Sequence, residues 1–415
     1  MVQVLSKSGK PLMQCENVVA RLLLKQGKAR VKHTLPFTIK LNYETTEYVQ
    51  WLLLAVDTGS TFIGTAVGNE KNEIIYMAKT EIRNDVTNNM KARSKYRRNR
   101  RNRKTRYRKA RWLNRKNSIK NDRFSPTMIS KINAHMREIT LVCSILPISE
   151  VKIETGNFDP HALKNPEVLK DKSLYQHGLN YGFANSRAFV LDRDGYKCQN
   201  KGCKNKNKTL HAHHIIYKRD GGSDEPSNLI TLCVCCHDAV HDNSIKLNIK
   251  GKKKGQLKHA TQMNSIRIQL LKLLPEAKQT FGFITKEHRQ LIGLPKEHYF
   301  DAVAIISGVN PVTFKVKDVL IKKCVAKGDY QLTKGSRGET KLLVGKFEGF
   351  RKFDKVKYKG VECFVKGKMS TGYMILMDIN GKNIEFKPMA KYTTTKRISA
   401  RKSILVISKK MEEVA

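Results

Sequence analysis

The sequence predicts a multidomain α/β chain built around a mixed sheet that is interrupted by inserted segments, and three observations predict it. Short apolar runs over 50–80 alternate with turn residues and read as consecutive strands. Between Cys198 and His241 the chain carries four spaced cysteines and five of its twelve histidines, the composition of a small metal-stapled module. From about residue 311 the texture changes to short β-like segments divided by Gly and Lys turns, which predicts a small basic β-barrel-like domain. A length of 415 residues leaves room for two to four domains with ordinary cores.

Charge narrows the partners. Lys plus Arg total 80 against 36 acids, a formal net charge of +44. Such a chain repels itself, so a polyanion is implied, and nucleic acid is the expected one. A ribosomal or chromatin-like packaging role shares that charge, so charge alone does not choose between binding and catalysis. The nine cysteines do not space as a disulfide framework. No apolar stretch approaches a membrane span, and the first 20 residues lack a signal-peptide core, so a cytoplasmic protein without a membrane partner is expected.

Residues 1–48 read as a small α/β unit, with a strand at 2–5, a turn at 6–9 and a short helix over 18–25 stopped near Gly27. The run 51–57 is a short apolar strand ending on Asp57, followed by a turn at Gly59-Ser60, a strand at 62–68, a second turn and a strand at 73–77. An apolar first strand that finishes on an acid and hairpins back twice suggests the start of an RNase H-like sheet. Residues 86–120 hold 16 Lys or Arg and no acid, without Pro or Gly, so a helix is permitted. Like charges on every face make it a poor helix in water, and phosphate on several sides would offset the repulsion. Arg93, Arg97, Arg98, Arg100, Arg101, Arg103, Arg106, Arg108 and Arg111 are its candidate phosphate-binding residues, to which the family resemblance given below assigns RNA, with Tyr96, Tyr107 and Trp112 as stacking or packing surfaces. A localisation tract or basic tail are the plain alternatives, and the internal position argues against a tail.

An amphipathic helix follows over 127–146, with Met128, Ile132, Met136, Ile139, Cys143 and Leu146 at helical spacing and Pro147 to end it. A short strand at 151–155 again carries an acid, Glu154, near its end, and 160–183 reads as a connector. Beyond the cysteine-histidine window, 245–255 is a linker or strand pair, helical pattern returns at 265–274, and 298–306 is a helix placing His298 and Asp301 on one face.

Within the window, Cys198-x4-Cys203 and Cys233-x2-Cys236 suit a closed tetrahedral zinc, with Cys235 offering a rival register. The histidines around His213-His214 suit an open metal site with a general base beside it. The intervening Gly221-Gly222-Ser223 and Asn228-Leu229-Ile230-Thr231-Leu232-Cys233 resemble the HNH nuclease family. That resemblance implies His214 as the base that activates water, His213 and His237 as metal ligands, and Asn228 as support for the base; His241, four residues after His237, would be a third ligand. A plain zinc ribbon is the alternative. The three acids Asp57, Glu154 and Asp301 fall on a first strand, a later strand and a C-terminal helix, the layout in which RuvC-type nucleases converge carboxylates on two Mg²⁺ ions. His298 matches the histidine of the third RuvC motif.

The order of segments resembles IscB, the transposon-associated RNA-guided nuclease family related to the type II CRISPR effectors. Lys10-Pro11-Leu12-Met13 looks like the motif that names that family's first domain, with Gln14 where a second proline usually stands. The similarity divides the chain into a small N-terminal domain (1–48), RuvC-like segment I (49–85), a bridge helix (86–120), segment II with connector (121–183), the HNH domain (184–250), a linker with segment III (251–310) and a basic β-rich domain (311–415). It implies a monomeric protein in a ribonucleoprotein with a large guide RNA (ωRNA), which cuts both strands of target double-stranded DNA in a prokaryotic cytoplasm. The HNH site, with one Mg²⁺ held by His213, His237 and His241, would cut the guide-paired strand. The RuvC-like site, with two Mg²⁺, would cut the displaced strand, and the last domain would read a flanking motif. An unguided homing or junction-cutting nuclease is the alternative enzyme, and an RNA-binding protein with decayed sites the alternative non-enzyme; all eight matched catalytic positions carry competent residues.

Overall fold

A computed structural model of the chain describes residues 1–102, 124–204, 209–249, 251, 257–326 and 346–411. It divides into two compact units, Met1–Gly156 with Met263–Ala415, and Asn157–Gln262. No described helix is long and apolar enough to cross a membrane. The molecule is a mixed α/β multidomain protein with several sheets.

The first unit opens with β1 (Val2–Leu5), β2 (Pro11–Cys15), α1 (Asn17–Lys25), β3 (Ala29–Thr34) and β4 (Phe37–Leu41). The strands pair in the order β2-β1-β4-β3 and close on Val2, Val4, Ala20 and Ile39. Gly27, at φ +66°, ends α1 near the predicted position.

Next come β5 (Leu52–Asp57), β6 (Phe62–Asn69), β7 (Glu73–Glu81), the basic helix α2 (Val86–Asn102), α3 (Pro126–Cys143) and β8 (Glu150–Thr155). Ser125 caps α3 through Met128 N, and Pro126 occupies the first turn, where its missing N–H costs nothing. The helix ends at Cys143, before Pro147, and the chain then turns through Ser144. Its buried face is also broader than apolar spacing suggests: beside Ile132 and Ile139 it buries Lys131, His135 and Glu138.

The second unit holds α4 (Pro160–Lys164), α5 (Ser186–Arg193), the antiparallel pair β9 (Leu210–His214) and β10 (Leu229–Cys233), and α6 (Val234–His241). The segment expected as linker or strand pair shows no strand among its described residues, 245–249 and 251. The helix α7 (Lys258–Leu273) follows, beginning seven residues before the predicted 265.

The chain then runs through β11 (Lys278–Phe281), α8 (Gly282–Leu291), α9 (His298–Ser307), β12 (Thr313–Phe314) and β13 (Asp318–Cys324). It closes with β14 (Lys355–Tyr358), β15 (Val361–Lys368), β16 (Met374–Met377), β17 (Asn383–Ile384), β18 (Lys396–Ser399) and β19 (Ile404–Lys410). An eight-stranded sheet runs β11-β8-β5-β6-β7-β13-β19, with β12 also on β7. Leu52, Leu54 and Val56 of β5 face α3, while Ala55 packs toward Tyr299 and Val303 of α9. Cover on both faces explains why β5 is an unbroken apolar run.

The C-terminal expectation needs correction. Its first and last strands, β13 and β19, are not part of a separate barrel; β13 pairs parallel with β7 and antiparallel with β19 in the large sheet. The remaining strands form an open path, β17-β16-β15-β14-β18. Phe364 and Met377 of that sheet, with Ile379 in the turn that follows, pack on Val325 and Leu405, a sheet-on-sheet core in place of a closed barrel.

Candidate functional site

Three clusters bring together the residues the sequence singled out, one in the first unit and two in the second. In the first unit, Asp57 ends β5 and sits in parallel register beside Glu154 of β8. Helix α9 begins at His298, so His298 and Asp301 lie on its first turn. Gly64, opposite Asp57 on β6, makes this approach possible: a Cβ there would lie 1.8 Å from the His298 carbonyl oxygen. The ligand atoms of Asp57, His298 and Asp301 all fall within 4.8 Å of one another. His298 Nδ1 donates to Asp57 Oδ2 at 2.6 Å, so that whenever the ring is neutral its unprotonated nitrogen is Nε2.

Crowding sets the electrostatics. Burial, then the Asp57 carboxylate, pushes Glu154 up to about 7. Burial and Asp57 also raise Asp301, against the opposing pull of Arg289. The hydrogen bond to Asp57 raises His298. Carboxylates held this close favour a shared cation, and oxygen ligands from separate elements suit a hard divalent ion such as Mg²⁺ or Mn²⁺.

In the second unit, β9 and β10 pair His213 with Ile230 and His214 with Leu229, and α6 follows directly. Ligand nitrogens of His213, His237 and His241 fall within 4.8 Å of one another, and His237 Nε2 and His241 Nε2 are 3.3 Å apart. Burial, then the neighbouring imidazoles, lowers His213 to about 4, so it is neutral and ready to ligate at pH 7. The set thus fits a metal, and its three nitrogens suit a transition ion better than Mg²⁺, which prefers oxygen. His214 Nε2 lies 2.9 Å from Asp224 Oδ1, on which Lys218 also rests at 2.8 Å. The fully buried amide of Asn228 bonds the backbone of Ile216 and Ser223, pinning the loop that leaves His214.

Cys198, Cys203, Cys233 and Cys236 bring their sulfurs within 4.8 Å of one another. The Cys203–Cys233 separation is 3.7 Å, against about 3.8 Å for the edge of a tetrahedron with 2.3 Å zinc–sulfur bonds. Cys236, not the exposed Cys235, completes the set, which resolves the register. Burial pushes the Cys236 thiol up to about 12, a cost that a bound cation would reverse.

The basic segment is helical over Val86–Asn102, with Asn89 bonded to Asp85 at its head. Arg93, Arg97 and Arg98 are exposed on it, and Arg100 and Arg101 belong to the same helix. Arg103, Arg106, Arg108 and Arg111 lie outside the described residues, as do Tyr107 and Trp112.

A family model described as RRXRR protein matches residues 2–178, and one described as HNH endonuclease matches residues 198–243. The chain is a nuclease of the IscB type with an HNH domain. As an HNH endonuclease it is a hydrolase acting on DNA, and nucleases of this domain are metal-dependent. In this IscB-type nuclease the RRXRR match takes in Asp57, the described basic helix and Glu154, and the HNH match takes in the cysteine set and His213, His214, His237 and His241. Anaredoxin of Nostoc sp. is 33% identical over 60 residues, which make up 14% of this chain and 76% of that protein.

Several neighbours in the IscB-type sites were invisible to sequence reasoning. Arg289 is nearly buried, with Nε 2.7 Å from Asp301 Oδ1 and Nη1 donating to Leu294 O at 3.0 Å. Lys131 of α3 donates to Ser60 O in the turn after Asp57, and Thr285 hydrogen-bonds Glu154. Tyr217 stacks on His241 with centroids 5.3 Å apart. Asp224 had a usable signal, an acid in the Gly-Gly-Ser-Asp turn after the histidine pair.

Proposed function

We propose that the chain is an RNA-guided DNA endonuclease with two cutting sites, an HNH site for the guide-paired strand and a RuvC-type site for the displaced strand. The observation that carries this reading is the convergence of Asp57, His298 and Asp301, drawn from distant segments, in a chain that also holds a complete HNH ligand set. On this reading the eight-stranded sheet is RNase H-like, α2 is the start of a bridge helix gripping guide backbone, and the segment boundaries at 48, 85, 120, 183, 250 and 310 hold as domain divisions, except that β13 and β19 serve the large sheet. The small five-stranded sheet then reads the motif flanking the target.

Divalent ions at both sites would supply charge neutralisation on the scissile phosphate and lower the pKa of attacking water. Asp57, Glu154 and Asp301 would hold them in the RuvC-type site, where Arg289 keeps the Asp301 carboxylate aimed. His213, His237 and His241 would hold one in the HNH site, and zinc would sit among the four cysteines. Because the Asp224 carboxylate only accepts, His214 carries its proton on Nε2, and Nδ1 takes the proton from water. Asn228 fixes the loop that aims His214. At the other site His298 accepts at Nε2 while Asp57 orients the ring.

The test is strand-resolved cleavage with the RNA that co-purifies. His214→Ala is expected to leave nicking of the displaced strand, and Asp57→Ala to leave nicking of the guide-paired strand. Loss of both cuts from either change in folded protein would overturn the two-site assignment. Full cleavage after the RNA is digested away would favour an unguided nuclease.

A further inference from the structure

Phe281 and Phe283 stand at the end of β11 and the start of α8, separated by Gly282. Their rings are nearly parallel, 9° between planes and 6.1 Å between centroids. Both are exposed to solvent, and Phe283, at 71%, is the most exposed phenylalanine among the described residues. An exposed aromatic pair in water forgoes the gain of burial, and its flat faces are open to an occupant.

The glycine between the rings ties them to the acid cluster. A Cβ at Gly282 would come within 2.9 Å of Glu154 Oε1, so the backbone carrying both rings lies against that carboxylate. Thr280 pairs with Glu154 in parallel register, which sets Phe281 one residue beyond it at the strand end. Lys286 lies exposed three residues after Phe283, on the same side of α8. Two flat apolar faces with a cation one turn away match an unpaired nucleotide, whose base stacks while its phosphate meets the lysine. Duplex DNA keeps its bases stacked inside and offers no free face.

We propose that Phe283, backed by Phe281, is a stacking platform for an unpaired base of the DNA strand entering the Asp57–Glu154–Asp301 site. The platform orients the strand so that the phosphate next to the stacked base reaches the carboxylates. This rests on the reading of that cluster as a nuclease site, and its test reports independently of cleavage.

The probe is a single-stranded oligodeoxynucleotide with 2-aminopurine at successive positions, titrated with the full chain in EDTA so that nothing is cut. Stacking quenches the fluorescence of the base on the platform. The expected result is a quench confined to one or two positions, lost in Phe283→Ala and restored in Phe283→Trp. In a His214→Ala background with Mg²⁺, Phe283→Ala should raise KM for that oligonucleotide about tenfold, with kcat little changed. A quench that is the same in Phe283→Ala as in the parent, or one that tryptophan does not restore, overturns the platform. A quench that depends on residue 283 equally for an oligoribonucleotide, with KM for DNA unchanged, assigns the platform to RNA and also overturns it. Failure of the nuclease-site reading shows elsewhere: cleavage would then survive Asp57→Ala.

Discussion

His135 lies inside α3 with no exposed surface, donating from Nδ1 to Lys131 O at 2.9 Å, while its Nε2 finds no partner among the described residues. Burial lowers it to about 4. Between that value and the ordinary 6.5 the unfolded chain binds a proton that the folded chain refuses. Stability is therefore complete above about pH 6.5 and falls as pH drops toward 4. From pH 7 to pH 5 the parent should lose about 2 kcal/mol more than His135→Gln, measured by denaturant unfolding. Equal losses would show that the ring is solvated. Nothing in the sequence marks this histidine, because its chemistry comes from what covers it. Arg289 is similar: an arginine in an amphipathic helix reads as surface, and its ion pair with Asp301 exists only once α8 packs beside α9. Asp57 and Glu154 were legible because an acid at the end of an apolar strand is a local anomaly.

The strands β7 and β13 and the helix α3 meet at a buried ionic triad. Lys322 of β13 places Nζ 2.6 Å from Glu138 Oε1 and 2.6 Å from the Tyr76 hydroxyl, with Lys322 and Glu138 both fully buried. The Glu138 carboxylate and the tyrosine hydroxyl hold Lys322 charged despite its burial. A pair like this selects register more than it adds stability: a shift of β13 by one residue would turn Lys322 to the other face and leave Glu138 unpaired. Lys322→Met should cost about 3–5 kcal/mol by stranding the carboxylate, and adding Glu138→Leu should recover most of it. Chemical denaturation of the two variants against the parent measures this, and additive losses would deny the coupling. The triad also explains why the sequence pattern of the C-terminal region points to a separate barrel. The local pattern of 318–324 announces a strand, but edge strands carry no label for the sheet they join. Membership is decided by a lysine, a tyrosine and a glutamate that lie far apart in sequence.

At the size of the whole chain, the two units have separate means of holding together. The first has apolar cores on both faces of its large sheet. The second has a small core whose members include Cys233 and Cys236, packed against Cys198 and Cys203. A module that small relies on metal. Stripping metal with a strong chelator, or Cys233→Ser, should unfold residues 157–262 while the other unit keeps its transition in calorimetry, and metal analysis of the untreated protein should find zinc. A single transition unaffected by chelation would refute a structural zinc. The metal ligands and the nuclease class could be named from the sequence because they rest on residue types at short, chemically meaningful spacings. Strand existence was legible for the same reason, through periodicity and turn residues. Closure of the acid cluster, the choice of Cys236 over Cys235, the place of β13 and β19, and the rings beside Glu154 depended on long-range packing. Contacts between residues hundreds of positions apart leave no periodic trace in the chain, so they exist only in the folded molecule.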